Sequence, residues 1–184
     1  MKGKKKVLAI SGSTRAQSTN LNYIKAISDL GADVFSVELF ARLLDIPAFN
    51  PDDDTDSPPA VVAEFRNQLR KADGILICTP EYAMGVPGSL KNAIDWTVSS
   101  MEFSQKPVAL VTASLSGLKG HAALLETLHV IESRMTNETG LVISFAKTKI
   151  SNDCKITDEA TLTAIKKLID AFSMLLHEEK VNAE

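Results

Sequence analysis

The chain has 184 residues, 45% of them hydrophobic and 23% charged, with a net charge of −3. A single domain of that length removes roughly 70% of its unfolded surface from water and needs no disulfide or metal staple. The balance is too apolar for a disordered chain and too close to neutral for a protein built to bind nucleic acid.

In chain order, the one basic run, Lys2 to Lys6, reads as a solvated flank to the first strand. Val7 to Ile10 follows as a short unbroken apolar run, the signature of a strand covered on both faces. It is too short for a signal-peptide core or a membrane span, so a cytoplasmic protein without membrane contact is expected. Leu21, Ile24, Ile27 and Leu30 recur at threes and predict a helix, and Val34 to Leu39, interrupted by polar residues, predicts an edge strand. Phe49 to Pro59 is rich in Asp and Pro. Its cluster Asp52, Asp53, Asp54 and Asp56 lacks the glycine and distal glutamate of an EF-hand and reads as a solvated acidic loop.

A helix is predicted over Pro59 to Lys71, a central strand over Ile75 to Cys78, a helix over Gly88 to Val98 and a third central strand over Val108 to Val111. Leu124, Leu125, Leu128, Ile131 and Met135 trace one helical face. Leu141 to Ala146 is expected as the second edge strand, and Leu162 to Leu175 as the last helix. Such alternation implies a doubly wound parallel α/β sheet with helices on both faces, forming a single domain over residues 1–184. Ligands of such sheets bind beyond the carboxyl ends of the strands. That directs attention to three loops, Ser11 to Ser18, Thr79 to Pro87 and Ser114 to Gly120.

The first loop continues into the helix as Ser11-Gly12-Ser13-Thr14-Arg15-Ala16-Gln17-Ser18-Thr19-Asn20. A phosphate monoester needs amide donors, hydroxyls and a cation. The helix start supplies the amides and the positive end of its dipole, Ser13, Ser18 and Thr19 supply hydroxyls, and Arg15 supplies charge. With one glycine and no Gly-Lys-Ser/Thr ending, the loop is neither a dinucleotide fingerprint nor a Walker A loop. A mononucleotide's terminal phosphate is therefore expected. A helix cap alone would need only one hydroxyl.

The second loop and its helix read PEYAMGVPGSLKNAIDW over residues 80–96. Together with GSTRAQSTN over residues 12–20, this string resembles the NADPH-dependent FMN reductase family, flavodoxin-like quinone, azo-dye and chromate reductases, over roughly residues 5 to 146. The resemblance implies a flavodoxin-like five-stranded sheet of order 2-1-3-4-5. It implies FMN with its phosphate against Ser13, Arg15, Ser18 and Asn20 and its ring along Pro80, Glu81, Tyr82, Ala83 and Met84. The third loop, with Ser114, Ser116, Gly117 and Gly120, would approach the pyrimidine side of the ring. Amides at the start of the next helix, aided by Lys119, would face the reduced ring. The family usually carries asparagine where this chain has Ala83, so one side-chain hydrogen bond to the cofactor is lost.

The implied activity is transfer of hydride from NADPH or NADH, through FMN, to a small acceptor such as a quinone, azo compound, metal oxyanion or free flavin. The cofactor carries that chemistry, so no catalytic side chain is required. A homodimer or homotetramer is the family's habit. A one-electron carrier of the flavodoxin type and a flavin-binding scaffold without turnover stay open as alternatives, since fold alone does not choose between them. Asp95 and Trp96 are expected in packing or an interface. His121 is expected as a satisfied helix-start histidine or a neighbour of the ring. His121, His129 and His177 show no metal-ligand spacing, and Cys78 and Cys154 form no CxxC pair, so neither a metal nor a disulfide is expected.

Overall fold

The computed structural model describes residues 4–178; Lys2, in the basic run, lies outside them. Five strands, β1 (Lys5–Ser11), β2 (Phe35–Leu39), β3 (Gly74–Thr79), β4 (Val108–Ala113) and β5 (Gly140–Ile143), form one parallel sheet of order β2-β1-β3-β4-β5. Five helices, α1 (Thr19–Leu30), α2 (Ala60–Lys71), α3 (Gly88–Asp95), α4 (Leu118–Val130) and α5 (Glu159–His177), cover it. This is the flavodoxin-like doubly wound arrangement, whose order reverses between β1 and β3.

The unbroken apolar runs arise because each central strand feeds two cores. Leu8 and Ile10 of β1, Ile75 and Ile77 of β3, and Val108 and Leu110 of β4 pack with Phe65, Leu69, Leu90 and Leu124 of α2, α3 and α4. Their neighbours Val7, Ala9, Leu76, Cys78, Ala109 and Val111 point to the opposite face, against Tyr23 and Ile27 of α1 and Ile165, Leu168 and Phe172 of α5. With successive side chains on opposite faces and both faces covered, the runs Val7 to Ile10, Ile75 to Cys78 and Val108 to Val111 are apolar throughout.

Several boundaries differ from expectation. α3 ends at Asp95, three residues before Val98: the Thr97 hydroxyl donates to the Ile94 carbonyl at 2.7 Å, and buried Trp96 donates through Nε1 to the Pro47 carbonyl at 2.9 Å. α4 ends at Val130, and Ile131 and Met135 reach the core from beyond it. β5 stops at Ile143, before Ala146, because Phe145 takes a left-handed backbone with φ 53°. Leu30 is exposed, and Tyr23 and Ala26 join the buried face of α1 instead.

The acidic loop is solvated at Asp52, Asp53 and Asp56 but not at Asp54. That carboxylate accepts from buried Arg66 at 2.7 Å and from the Ser99 hydroxyl at 2.6 Å. The pairing with Arg66, then with Ser99, holds its carboxyl below the usual carboxylate range.

Candidate functional site

Gly12 N–H donates to the Cys78 carbonyl at 2.9 Å and ties the exit of β1 to that of β3. A Cβ at Gly12 would stand 2.2 Å from Thr79 Oγ1, so only glycine permits this approach. The Ser11 hydroxyl donates to the Ser13 carbonyl at 3.0 Å and shapes the turn toward α1. Ser18 is the N-cap of α1, its Oγ accepting from Asn20 N–H at 3.2 Å. Beneath it the Cys78 thiol donates to Asn20 Oδ1 at 3.3 Å. Burial pushes that thiol's pKa well above the usual range, so it stays a neutral donor.

Ser13, Ser18 and Asn20 are buried around this helix start. The first turn of α1 holds no acidic residue. Arg15 is exposed and makes no ion pair among the described residues. The positive end of the helix and the guanidinium therefore reinforce one another with no carboxylate to cancel them, which is the electrostatic form of an anion site.

A cavity of about 440 Å³ opens beside this cradle. Ser13, Arg15, Ser18, Thr19 and Asn20 line one end; Pro80, Tyr82, Ser114 and Leu115 line the wall. Its size suits a small organic ligand. The fourth contributor is a segment the sequence reading missed, Phe145 to Thr148 after β5. It is anchored from behind: Phe145 N–H donates to the Leu115 carbonyl and Ala146 N–H to the Ser114 carbonyl, both at 3.0 Å. The Tyr23 hydroxyl, on a fully buried ring, donates to the Ala146 carbonyl at 3.0 Å. Reading Leu141 to Ala146 as strand to its end concealed this turn. The rule that ligands lie beyond carboxyl strand ends, applied to the edge strand as well, would have found it.

Among the described residues, Glu81, Ala83, Met84, Ser116, Gly117 and Gly120 do not line this cavity. Glu81 turns to α4: its Oε2 accepts from Gly120 N–H at 2.7 Å and its Oε1 from Gly117 N–H at 3.3 Å. These bonds, the one from Gly120 foremost, hold its carboxyl below the usual range. The amides of Gly117 and Gly120, at the start of α4, are thus engaged by this carboxylate. The Ser116 carbonyl accepts from the Ser144 hydroxyl at 2.8 Å, and Ala83 and Met84 form an exposed turn. His121 is buried with Nδ1 2.9 Å from Thr112 Oγ1, and burial lowers its pKa. It is a satisfied helix-start histidine. Asp95 pairs with Lys91 at 2.6 Å. Among the described residues no cluster of His, Cys, Asp and Glu could hold a metal, and no helix is long and apolar enough to cross a membrane.

A parallel sheet of this order, with a hydroxyl-rich helix start after β1 and an open slot beside it, defines the flavodoxin-like class of α/β proteins. The family model for NADPH-dependent FMN reductase matches residues 5–147, and the chain belongs to this family of oxidoreductases. It is 35% identical over 175 residues to an NAD(P)H-dependent FMN reductase of Pseudomonas aeruginosa, covering 92% of this chain and 94% of that protein. A quinone reductase of Escherichia coli K12 is 28% identical over 188 residues, covering 98% of this chain and 100% of that protein. Among solved structures, the flavoenzyme NAD(P)H:(acceptor) oxidoreductase FerB of Paracoccus denitrificans superposes with a TM-score of 0.84. It is 27% identical, with 94% of this chain and 97% of that one covered.

Proposed function

We propose that the cavity binds FMN, with its phosphate in the Ser13 to Asn20 loop, and that the protein uses it to move reducing equivalents from NADH or NADPH to a small acceptor of the quinone class. The observation that carries this reading is the cradle itself: buried Ser13, Ser18 and Asn20, the start of α1 and Arg15, which has no ion pair among the described residues, meet at one end of a slot. Bound FMN would accept a hydride and pass its electrons on, chemistry that resides in the cofactor. The chain's own part is to bind and orient. Ser13, Ser18, Thr19 and Arg15 supply donors for a dianion, and Pro80, Tyr82 and Leu115 supply apolar wall for a flat ring. Tyr82 and Phe145 are 52% and 60% exposed, which leaves the mouth open for a donor and then an acceptor to occupy the same face in turn. The relatives, an FMN reductase and a quinone reductase by name, support the same donor and acceptor classes. A homodimer or homotetramer belongs to this reading and is measured by light scattering.

The test is to incubate the purified protein with FMN, desalt it and add NADPH or NADH without oxygen. A retained yellow colour that bleaches, and returns on adding a quinone, is the expected result. A colourless protein that neither takes up FMN nor oxidises either nucleotide refutes the proposal. Arg15→Ala should weaken FMN binding by about 1.5 to 3 kcal/mol, the size of one charge-assisted contact. Unchanged affinity would remove the phosphate from this loop.

A further inference from the structure

The loop after β3 holds backbone strain at two exposed residues, Ala83 and Met84. Tyr82 and Gly85 exchange both N–H···O bonds at 2.9 Å, closing a two-residue turn over Ala83 and Met84. Both central residues lie in the left-handed region, with φ of 49° and 63°. Turns of this form favour Asn-Gly or Gly-Gly, because a Cβ at positive φ crowds the carbonyl that follows. Here both positions carry a Cβ, and neither side chain compensates by packing: Ala83 is exposed and Met84 is 74% exposed.

The restraint on the turn comes from α4. Glu81, immediately before the turn, receives the amides of Gly117 and Gly120 on its two oxygens. Gly117, with φ 93°, is the N-cap of α4 in a conformation side chains disfavour. A Cβ on Gly120 would stand 2.8 Å from the Gly85 carbonyl oxygen and 3.2 Å from Glu81 Cγ. The first turn of α4 thus lies with its backbone directly on the strained turn, and the carboxylate sits at the helix's positive end.

We propose that Glu81 is a positioning residue: clamped by the amides of Gly117 and Gly120, its carboxylate holds the unfavourable Tyr82–Gly85 turn and so sets where Pro80 and Tyr82 stand on the cavity wall. The functional consequence rests on the FMN reading above. The clamp itself is a property of the chain without cofactor and is tested there. If Glu81 only capped α4, the sequence of the turn would not matter to its loss. If it holds the turn, a turn with favourable residues no longer needs it.

The experiment compares wild type, Glu81→Ala, Glu81→Gln, and Glu81→Ala combined with Ala83→Asn and Met84→Gly. Amide hydrogen exchange of Gly85, Gly117 and Gly120 is followed in the FMN-free proteins, and FMN affinity in wild type and the two single variants. Glu81→Ala should speed exchange at all three amides by about tenfold or more, the scale of losing a charged hydrogen-bond acceptor. The Asn-Gly turn should restore slow exchange at Gly85 while Gly117 and Gly120 stay fast. FMN should bind Glu81→Ala about tenfold more weakly than wild type, with Glu81→Gln between the two. Unchanged Gly85 exchange in a folded Glu81→Ala protein overturns the clamp, as does failure of the Asn-Gly turn to restore it. A wild type that binds no FMN overturns the functional reading, while the exchange data still decide the clamp.

Discussion

Gly12→Ala probes the contact on which the whole cradle is built. The added Cβ would lie 2.2 Å from Thr79 Oγ1, 2.7 Å from Thr79 Cβ and 3.1 Å from Leu90 Cδ2. Thr79 and Leu90 are fully buried, so neither can swing out to solvent. The Thr79 hydroxyl also donates to the Pro80 carbonyl at 3.1 Å, which opposes its rotation. Relief must come from separating the ends of β1 and β3, where Gly12 N–H meets the Cys78 carbonyl. Overpacking of this kind costs about 1 to 3 kcal/mol. At about 2 kcal/mol, a domain of this size loses roughly 4 to 8 °C in Tm. Adding Thr79→Ala removes the 2.2 Å contact and leaves the one at 2.7 Å, so the double variant should regain only part of the loss. Differential scanning calorimetry reads the stability, and fluorescence quenching of FMN reads its affinity, which should fall with the displaced loop. A Gly12→Ala protein with wild-type Tm, or one that Thr79→Ala destabilises further by the full amount of its single change, would refute the packing argument.

Two further outcomes follow from groups outside the cradle. Arg66, whose Nε donates to the Trp96 carbonyl at 2.8 Å, pairs with Asp54 where the two side chains are 7% and 10% exposed. Arg66→Leu should therefore lower stability by about 3 kcal/mol in urea melts by leaving a buried carboxylate unpaired; an unchanged midpoint contradicts this. Burial lowers the His121 pKa in the fold, whereas the unfolded chain takes up the proton near the ordinary 6.5. Its contribution is therefore complete above about pH 6.5 and declines as pH falls from there toward the lowered folded value. Urea melts at pH 7.5 and 5.5 should show a smaller loss for His121→Gln than for wild type, and equal losses would rule this out.

Local pattern carried much of the architecture. Val7 to Ile10, Ile75 to Cys78 and Val108 to Val111 are apolar without alternation because both faces of those strands are covered, and that burial leaves its mark residue by residue. The hydroxyls and arginine of the first loop were legible for a similar reason: they lie next to one another in the chain, at the start of one helix. The position of Glu81 was not legible in this way. Its partners Gly117 and Gly120 are 36 and 39 residues away, and a carboxylate on a loop looks the same whether it meets water, a ligand or a helix start. Asp54 was concealed by its acidic neighbours, since nothing adjacent marks Arg66 as the buried guanidinium beneath it.

The amino-acid order alone therefore determined which segments are strands, which are helices and which loop concentrates hydroxyls and an arginine at a helix start, because those properties depend on residues a few positions apart. Only the tertiary structure decided that Phe145 to Thr148 completes the cavity and that α4 braces the turn after β3. Both depend on strand order, which sets β5 beside β4 and the start of α4 beside the exit of β3. A hydrogen bond reaches about 3 Å in space whatever the separation along the chain.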